Sequence, residues 1–283
     1  MYARPAHLDE TLRLLAEPRA RVLAGGTDLF PAAGDRPLQG SLIDISDLAE
    51  LRGIAETDEY FRIGGATTWR ELAKAPLPPS FAALGAAARE IGAVQIQNRA
   101  TLAGNLCNAS PAADGVPPLL VLDAEVELVS VRGTRRLPLG DFITGNRRTH
   151  RQPDELLTAI LVPRVATGGR STFLKLGARR YLVISIVMVA VQLETGADER
   201  ITRARIAVGA CSAVARRLLG AEAALLGRAL APGLASALER EYFAGLAPID
   251  DLRAPAAYRW EAAEVLVGKA LEACVRGEAG GVV

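Results

Sequence analysis

A chain of 283 residues, half of them hydrophobic, carries enough apolar side chain for one large core or two modest ones, which excludes a disordered polymer. Its 33 basic and 32 acidic residues leave a formal charge of +1, and aromatic residues make up only 5%. That balance excludes the basic, stacking surface of a nucleic-acid binder and gives no cationic footprint for a membrane surface.

The N-terminus has no apolar core of a signal peptide, since Asp9 and Glu10 interrupt it early. Leu8, Leu12 and Leu15 recur at helical spacing, predicting an amphipathic helix. Arg21 to Ala24 reads as a short strand broken by Gly25-Gly26. Leu42 to Ile45 and Phe61 to Gly64 are further short strands. Thr68 to Ala75 suits a helix that stops before Pro76. Phe81, Leu84, Ala88 and Ile91 share a helical face. Gln95 to Asp114 lacks helical period and is crowded with turn-favouring polar residues, so it is expected to be a loop. Ala124 to Val131 alternates as a strand.

Gly168-Gly169-Arg170 has the character of a linker. Beyond it, Thr172 to Leu176, Val183 to Leu193 and Ala204 to Ala210 are strand-like. Ala204, Ile206, Val208 and Ala210 fall on one face of the last. Two helices are expected at Ala213 to Gly227 and Tyr258 to Val275, then a frayed tail from Gly277 to Val283. The longest largely apolar run, Leu182 to Leu193, is about half of a ~20-residue membrane span, so no membrane insertion is expected and the chain reads as soluble and cytoplasmic. Short strands and helices alternate without a regular βαβ repeat, which favours α+β over a doubly wound sheet.

Two segments carry chemistry. In the first, Val22-Leu23-Ala24-Gly25-Gly26-Thr27-Asp28-Leu29, a strand runs into paired glycines whose backbone can approach a ligand closely and turn N–H groups towards an anion. It is neither a P-loop nor a dinucleotide GxGxxG. The second is Gln95-Ile96-Gln97-Asn98-Arg99-Ala100-Thr101-Leu102-Ala103-Gly104-Asn105, continuing through Leu106, Cys107 and Asn108 to Asp114. Gly104 leaves backbone N–H groups unscreened, and Thr101, Asn105 and Asn108 add short hydrogen-bonding groups. Two separated anion loops suit a diphosphate with an organic group at each end, as in a dinucleotide. Spacing leaves open which one. Cys107, Cys211 and Cys274 are too far apart for a disulfide framework or cluster site, and His7 and His150 have no ligand-spaced neighbours.

The two segments, in this order and about 75 residues apart, resemble the first and second FAD loops of the FAD-binding medium subunits of molybdenum hydroxylases. That family includes xanthine dehydrogenases, carbon monoxide dehydrogenase and quinoline oxidoreductases. Three further stretches share the resemblance: Ile63 to Leu72, Asp154 to Ile160 ahead of Pro163, and Phe173-Leu174-Lys175-Leu176-Gly177-Ala178-Arg179-Arg180.

The resemblance implies an α+β fold, with a two-lobed FAD-binding domain of the molybdopterin dehydrogenase (PCMH-like) type over residues 1–167. A smaller α/β domain, like the C-terminal domain of the carbon monoxide dehydrogenase flavoprotein, would occupy 170–276, with 277–283 a flexible tail. It implies an oxidoreductase subunit with noncovalent FAD. Val22 to Leu29 would line the first loop, and Thr101, Gly104, Asn105, Cys107 and Asn108 the second. Ile91 and Leu157 match apolar contacts, Asp114 an acidic residue against the cofactor, and Lys175 a lysine near the flavin ring. Tyr181, after the Arg pair, is a second candidate for tuning the flavin. Molybdopterin cofactor and [2Fe–2S] clusters would lie on a large and a small partner subunit, in a dimer of heterotrimers. Gln97, Ala100 and Ala103 depart from the family's Arg and Gly. Two other readings stand beside this one: an assembly subunit that has lost FAD, and a stand-alone FAD-dependent reductase.

Overall fold

The apolar stripe of the N-terminal helix decides the first lobe. A computed structural model describes all residues, 1–283. Leu8–Leu15 buries Leu12 and Leu15 and exposes Asp9, Glu10 and Arg13. It crosses between strands of a three-stranded parallel sheet ordered Tyr2–Ala3, Ser41–Asp44, Ala20–Leu23. Leu12 and Leu15 pack with Ile45, Leu48, Leu51 and Leu156, so this small sheet leans on the next layer.

The second lobe is a five-stranded antiparallel sheet ordered Ile54–Glu56, Tyr60–Gly64, Leu156–Pro163, Glu125–Ser130, Gly133–Pro138. Glu125–Ser130 buries Val126, Leu128 and Ser130 and turns the residues between them outward, the alternation expected from its sequence. The helix Trp69–Lys74 starts at Thr68, whose side chain accepts from the Glu71 N–H while Glu71 accepts from the Thr68 N–H. This reciprocal cap is the reason the helix begins there.

The third sheet is ordered Arg216–Arg217, Ile201–Gly209, Val187–Thr195, Arg170–Leu176, Gly280–Val282. One face is covered by the long helix Ala256–Val275, whose Ala263, Leu266, Val267, Ala270, Leu271 and Cys274 enter the core. The other receives the helix Ala82–Glu90: Ala83, Ala86 and Ala87 pack on Phe173, Met188, Ala190 and Ala207. Alanines let this helix lie close. The Ser171 hydroxyl pins it, accepting from the Ala83 N–H at 2.9 Å and donating to the Ser80 carbonyl at 2.6 Å.

Four expectations are corrected. The stretch expected to be a loop at 95–114 contains the helices Val94–Gln97 and Leu102–Asn108, because Thr101 caps the second by accepting from the Gly104 N–H at 3.0 Å. The helix expected at Ala213 to Gly227 is confined to Leu219–Leu225. Arg216–Arg217 is instead an edge strand against Ala207 and Val208. The strand expected from Val183 starts only at Val187, and residues 177–184 form a loop. The tail is no frayed end. Gly280–Val282 pairs in parallel with Phe173–Lys175, and the Val283 N–H donates to the Lys175 carbonyl at 3.0 Å. Gly280 permits this with φ +91°, where a Cβ would lie 1.9 Å from the Phe173 carbonyl oxygen.

Candidate functional site

Where the three sheets meet, a cleft of about 720 Å³ opens. That volume falls within the roughly 300–1,000 Å³ usual for preformed ligand sites. Every sequence-predicted site residue lines it except Leu23 and Tyr181. Leu23 is the last residue of its strand and is buried away from the cleft. Tyr181 is 66% exposed in the 177–184 loop, stacked under Arg180, while its neighbours Leu182, Val183 and Ile184 reach the wall.

The first segment leaves the Ala20–Leu23 strand and presents five consecutive backbone N–H groups, Gly25 to Leu29, that find no acceptor in the protein. Such a run is costly unless water or a ligand satisfies it, and it is the donor arrangement of an anion nest. Gly25 is required by a close approach: a Cβ there would sit 2.0 Å from the Arg99 carbonyl oxygen, so the two segments touch through backbone. Gly26 takes φ +71° over the Phe30 ring.

The second segment works differently from a glycine loop. The Gly104 N–H, expected to face a ligand, is spent on Thr101. Leu102 donates to the Thr67 carbonyl and Asn105 to the Thr101 carbonyl, so the Ala103 N–H alone in that turn has no partner. Neither Ala100 nor Ala103 has positive φ, so their methyl groups put no strain where the family often has Gly. Gln97 donates to the Arg89 carbonyl at 3.1 Å. The Asn105 Oδ1 is buried with no donor.

The segments are tied across the cleft. Asn108 donates from Nδ2 to Asp28 Oδ1 at 2.8 Å and accepts on Oδ1 from Arg147. A carboxylate can only accept and a guanidinium only donate, so the amide orientation is fixed. Arg147 carries no sequence signal of its own, and only the fold brings it here. Cys107 lies on the wall as a thiol pushed up to about 11 by burial, which leaves it unreactive at neutral pH. Ile91 and Leu157 supply apolar wall.

At the third sheet the wall is charged. Lys175 is 2% exposed and its Nζ donates to Asp114 Oδ2 at 2.6 Å. Burial pushes the Asp114 carboxyl up, opposed by Lys175 and by Ser185, whose hydroxyl donates to Oδ1 at 2.5 Å. The lysine is therefore half of a buried ion pair and not a lone cation.

These features fit a dinucleotide. A run of free amides and the Ala103 N–H suit a diphosphate. The buried Asn105 oxygen awaits a donor, and the apolar and charged walls suit a ring system that changes charge.

Residues 1–165 match the family described as the FAD binding domain in molybdopterin dehydrogenase, and residues 172–274 match the carbon monoxide dehydrogenase flavoprotein C-terminal domain. The chain is 32% identical over 274 residues to the nicotine 6-hydroxylase medium subunit of Paenarthrobacter nicotinovorans, covering 95% of both chains. Among solved structures it is similar to carbon monoxide dehydrogenase from Hydrogenophaga pseudoflava (TM-score 0.88, 30% identity, 98% of both chains). It is also similar to quinoline 2-oxidoreductase from Pseudomonas putida 86 (TM-score 0.87, 26% identity, 98% of this chain and 96% of that one). No helix is long and apolar enough to cross a membrane.

Proposed function

We propose, from the premise that this chain belongs to the FAD-binding medium subunits of the molybdenum hydroxylase family, that it is the electron-transfer subunit of such a complex. When bound, noncovalent FAD would take electrons from [2Fe–2S] clusters on a small partner subunit and give them to an external acceptor. A large subunit would carry the molybdopterin cofactor and the substrate pocket, and the whole would assemble as a dimer of heterotrimers in the cytoplasm. Residues 1–167 would form the cofactor-holding part, and the domain from residue 170 on, with the Gly280–Val282 strand in its sheet, would close it from the flavin side.

The observation that carries the reading is the run of unpaired amides at Gly25 to Leu29, packed through Gly25 against the segment that presents the Ala103 N–H. Together these would hold the diphosphate. Asp28 would take part through its backbone N–H, while its carboxylate is turned aside to accept from Asn108, which Arg147 holds in place. Ile91 and Leu157 would pack on the organic groups, and Thr101 and Gly104 would set the turn that aims the Ala103 amide. Lys175 would place its remaining N–H donors beside the flavin ring, where hydrogen-bond donors favour reduction. Tyr181 would lie at the mouth as part of the 177–184 loop.

A reading in which FAD has been lost would draw its support from Ala100 and Ala103, where the family often has Gly. Neither residue strains the backbone, so that support lapses. Purifying the native protein tests the proposal. Two other subunit types should co-elute, one with molybdopterin and one with [2Fe–2S] clusters. Full substrate turnover by the isolated chain would refute it.

A further inference from the structure

Behind the charged wall of the cleft lies Ser185, a residue that no motif marks. Asp114 has both carboxylate oxygens engaged: Oδ2 accepts from Lys175 at 2.6 Å and Oδ1 from Ser185 at 2.5 Å. Ser185 is 2% exposed and follows the exposed 177–184 loop. Its backbone is anchored on both sides of the next residue. The Ile186 N–H donates to the Leu176 carbonyl at 2.8 Å, and the Ile186 carbonyl accepts from the buried Arg259 at 2.7 Å. Arg259 is itself held by Asp251 at 2.7 Å. The hydroxyl therefore starts from a fixed point, as a supporting group must.

A buried ion pair is a poor way to gain stability, since an apolar pair of the same volume usually does as well. This pair has a second peculiarity. Lys175 carries three N–H donors, is buried, lines the cleft, and spends only one on a protein side chain. The rest are available to the cleft. How they point depends on where Asp114 is held, and two groups hold it.

We infer that Ser185 is the positioning residue of this wall: its hydroxyl shares the Asp114 carboxylate, which leaves Lys175 free to aim its remaining donors at the ring system in the cleft. The inference rests on the flavin reading of the cleft given above. Without the hydroxyl, Lys175 alone must meet the Asp114 charge, and its ammonium is drawn towards the carboxylate. The cleft loses donor character, and reduction of the bound flavin becomes less favourable.

The test uses the full chain loaded with FAD and compares wild type, Ser185→Ala and Ser185→Thr. FAD content is measured first, then the flavin midpoint by redox titration. Ser185→Ala should keep its FAD, while its two-electron reduction equilibrium falls about tenfold, which is about 30 mV. Ser185→Thr keeps the hydroxyl and should restore the wild-type midpoint. An unchanged midpoint in fully loaded Ser185→Ala would overturn the inference. So would an equal shift in Ser185→Thr, which would signal packing and not the hydroxyl. So would loss of FAD from Ser185→Ala, which would make Ser185 part of the binding framework. Wild type without FAD would instead overturn the reading of the cleft on which the role depends.

Discussion

Lys175→Met removes one half of a buried ion pair and leaves Asp114 with only Ser185 as donor and Glu90, another carboxyl raised by burial, as a like-charged neighbour. The pair is tight, 2.6 Å between Nζ and Oδ2, and its side chains are 3% and 6% exposed. Breaking such a pair from one side costs about 3–5 kcal/mol, because the surviving charge keeps its desolvation penalty. With a urea m-value of about 3 kcal/mol/M, the unfolding midpoint of the FAD-free chain should fall by about 1–1.7 M. The loss should depend on pH with a definite sign. Asp114 already sits above the ordinary carboxylate value because of burial, and losing Lys175 pushes it further in that direction. A carboxyl whose folded value lies above the unfolded one binds more protons when folded. Its contribution is present in acid, below the unfolded value of about 3.9, and is lost as pH rises through the folded value. The deficit of Lys175→Met should therefore be smallest near pH 4 and grow towards neutrality. Lys175→Met with Asp114→Asn should recover most of it at pH 7. Denaturant titrations across pH decide the matter. A single variant within about 1 kcal/mol of wild type at neutral pH, or a deficit that does not vary with pH, would refute the buried-pair account.

Gly25→Ala should weaken FAD binding while the chain still folds. Its Cβ would fall 2.0 Å from the Arg99 carbonyl oxygen, and overpacking of about 1–3 kcal/mol corresponds to roughly 5- to 150-fold in affinity. Equilibrium titration of the FAD-free variant checks this, and unchanged affinity would remove the first segment from the site. Truncation before Glu278 deletes the Gly280–Val282 strand and the acceptor for the Phe173 N–H at the Ala279 carbonyl, so the Phe173 amide should lose hydrogen-exchange protection. Unchanged protection would mean the tail is frayed after all.

The elements that sequence revealed well are those decided by local periodicity. Leu12 and Leu15 mark a helix face, and the alternation at Glu125–Ser130 marks a half-buried strand. Gly25 and Gly26 were legible because glycine pairs announce a backbone constraint. The constraint itself, a carbonyl from residue 99 beneath Gly25, is tertiary and has no sequence signal. The helix at Leu102–Asn108 was hidden because Gly104, Asn105 and Asn108 have low intrinsic helix propensity, which the Thr101 cap and burial of Leu102 and Leu106 override. The tail strand has no sequence signal because glycines at 280 and 281 suggest disorder, whereas φ +91° at Gly280 is what lets the chain turn onto the sheet edge. Within the site, residues next to a motif were found and those brought in by the fold were not. Arg147 and Ser185 lie far from their partners in sequence, 39 residues from Asn108 and 71 from Asp114.

The most direct measurement is the cofactor itself. Acid precipitation of the purified native protein should release one equivalent of FAD per chain into the supernatant. A colourless protein, FMN in place of FAD, or flavin retained in the pellet would contradict noncovalent FAD held by the amides of Gly25 to Leu29.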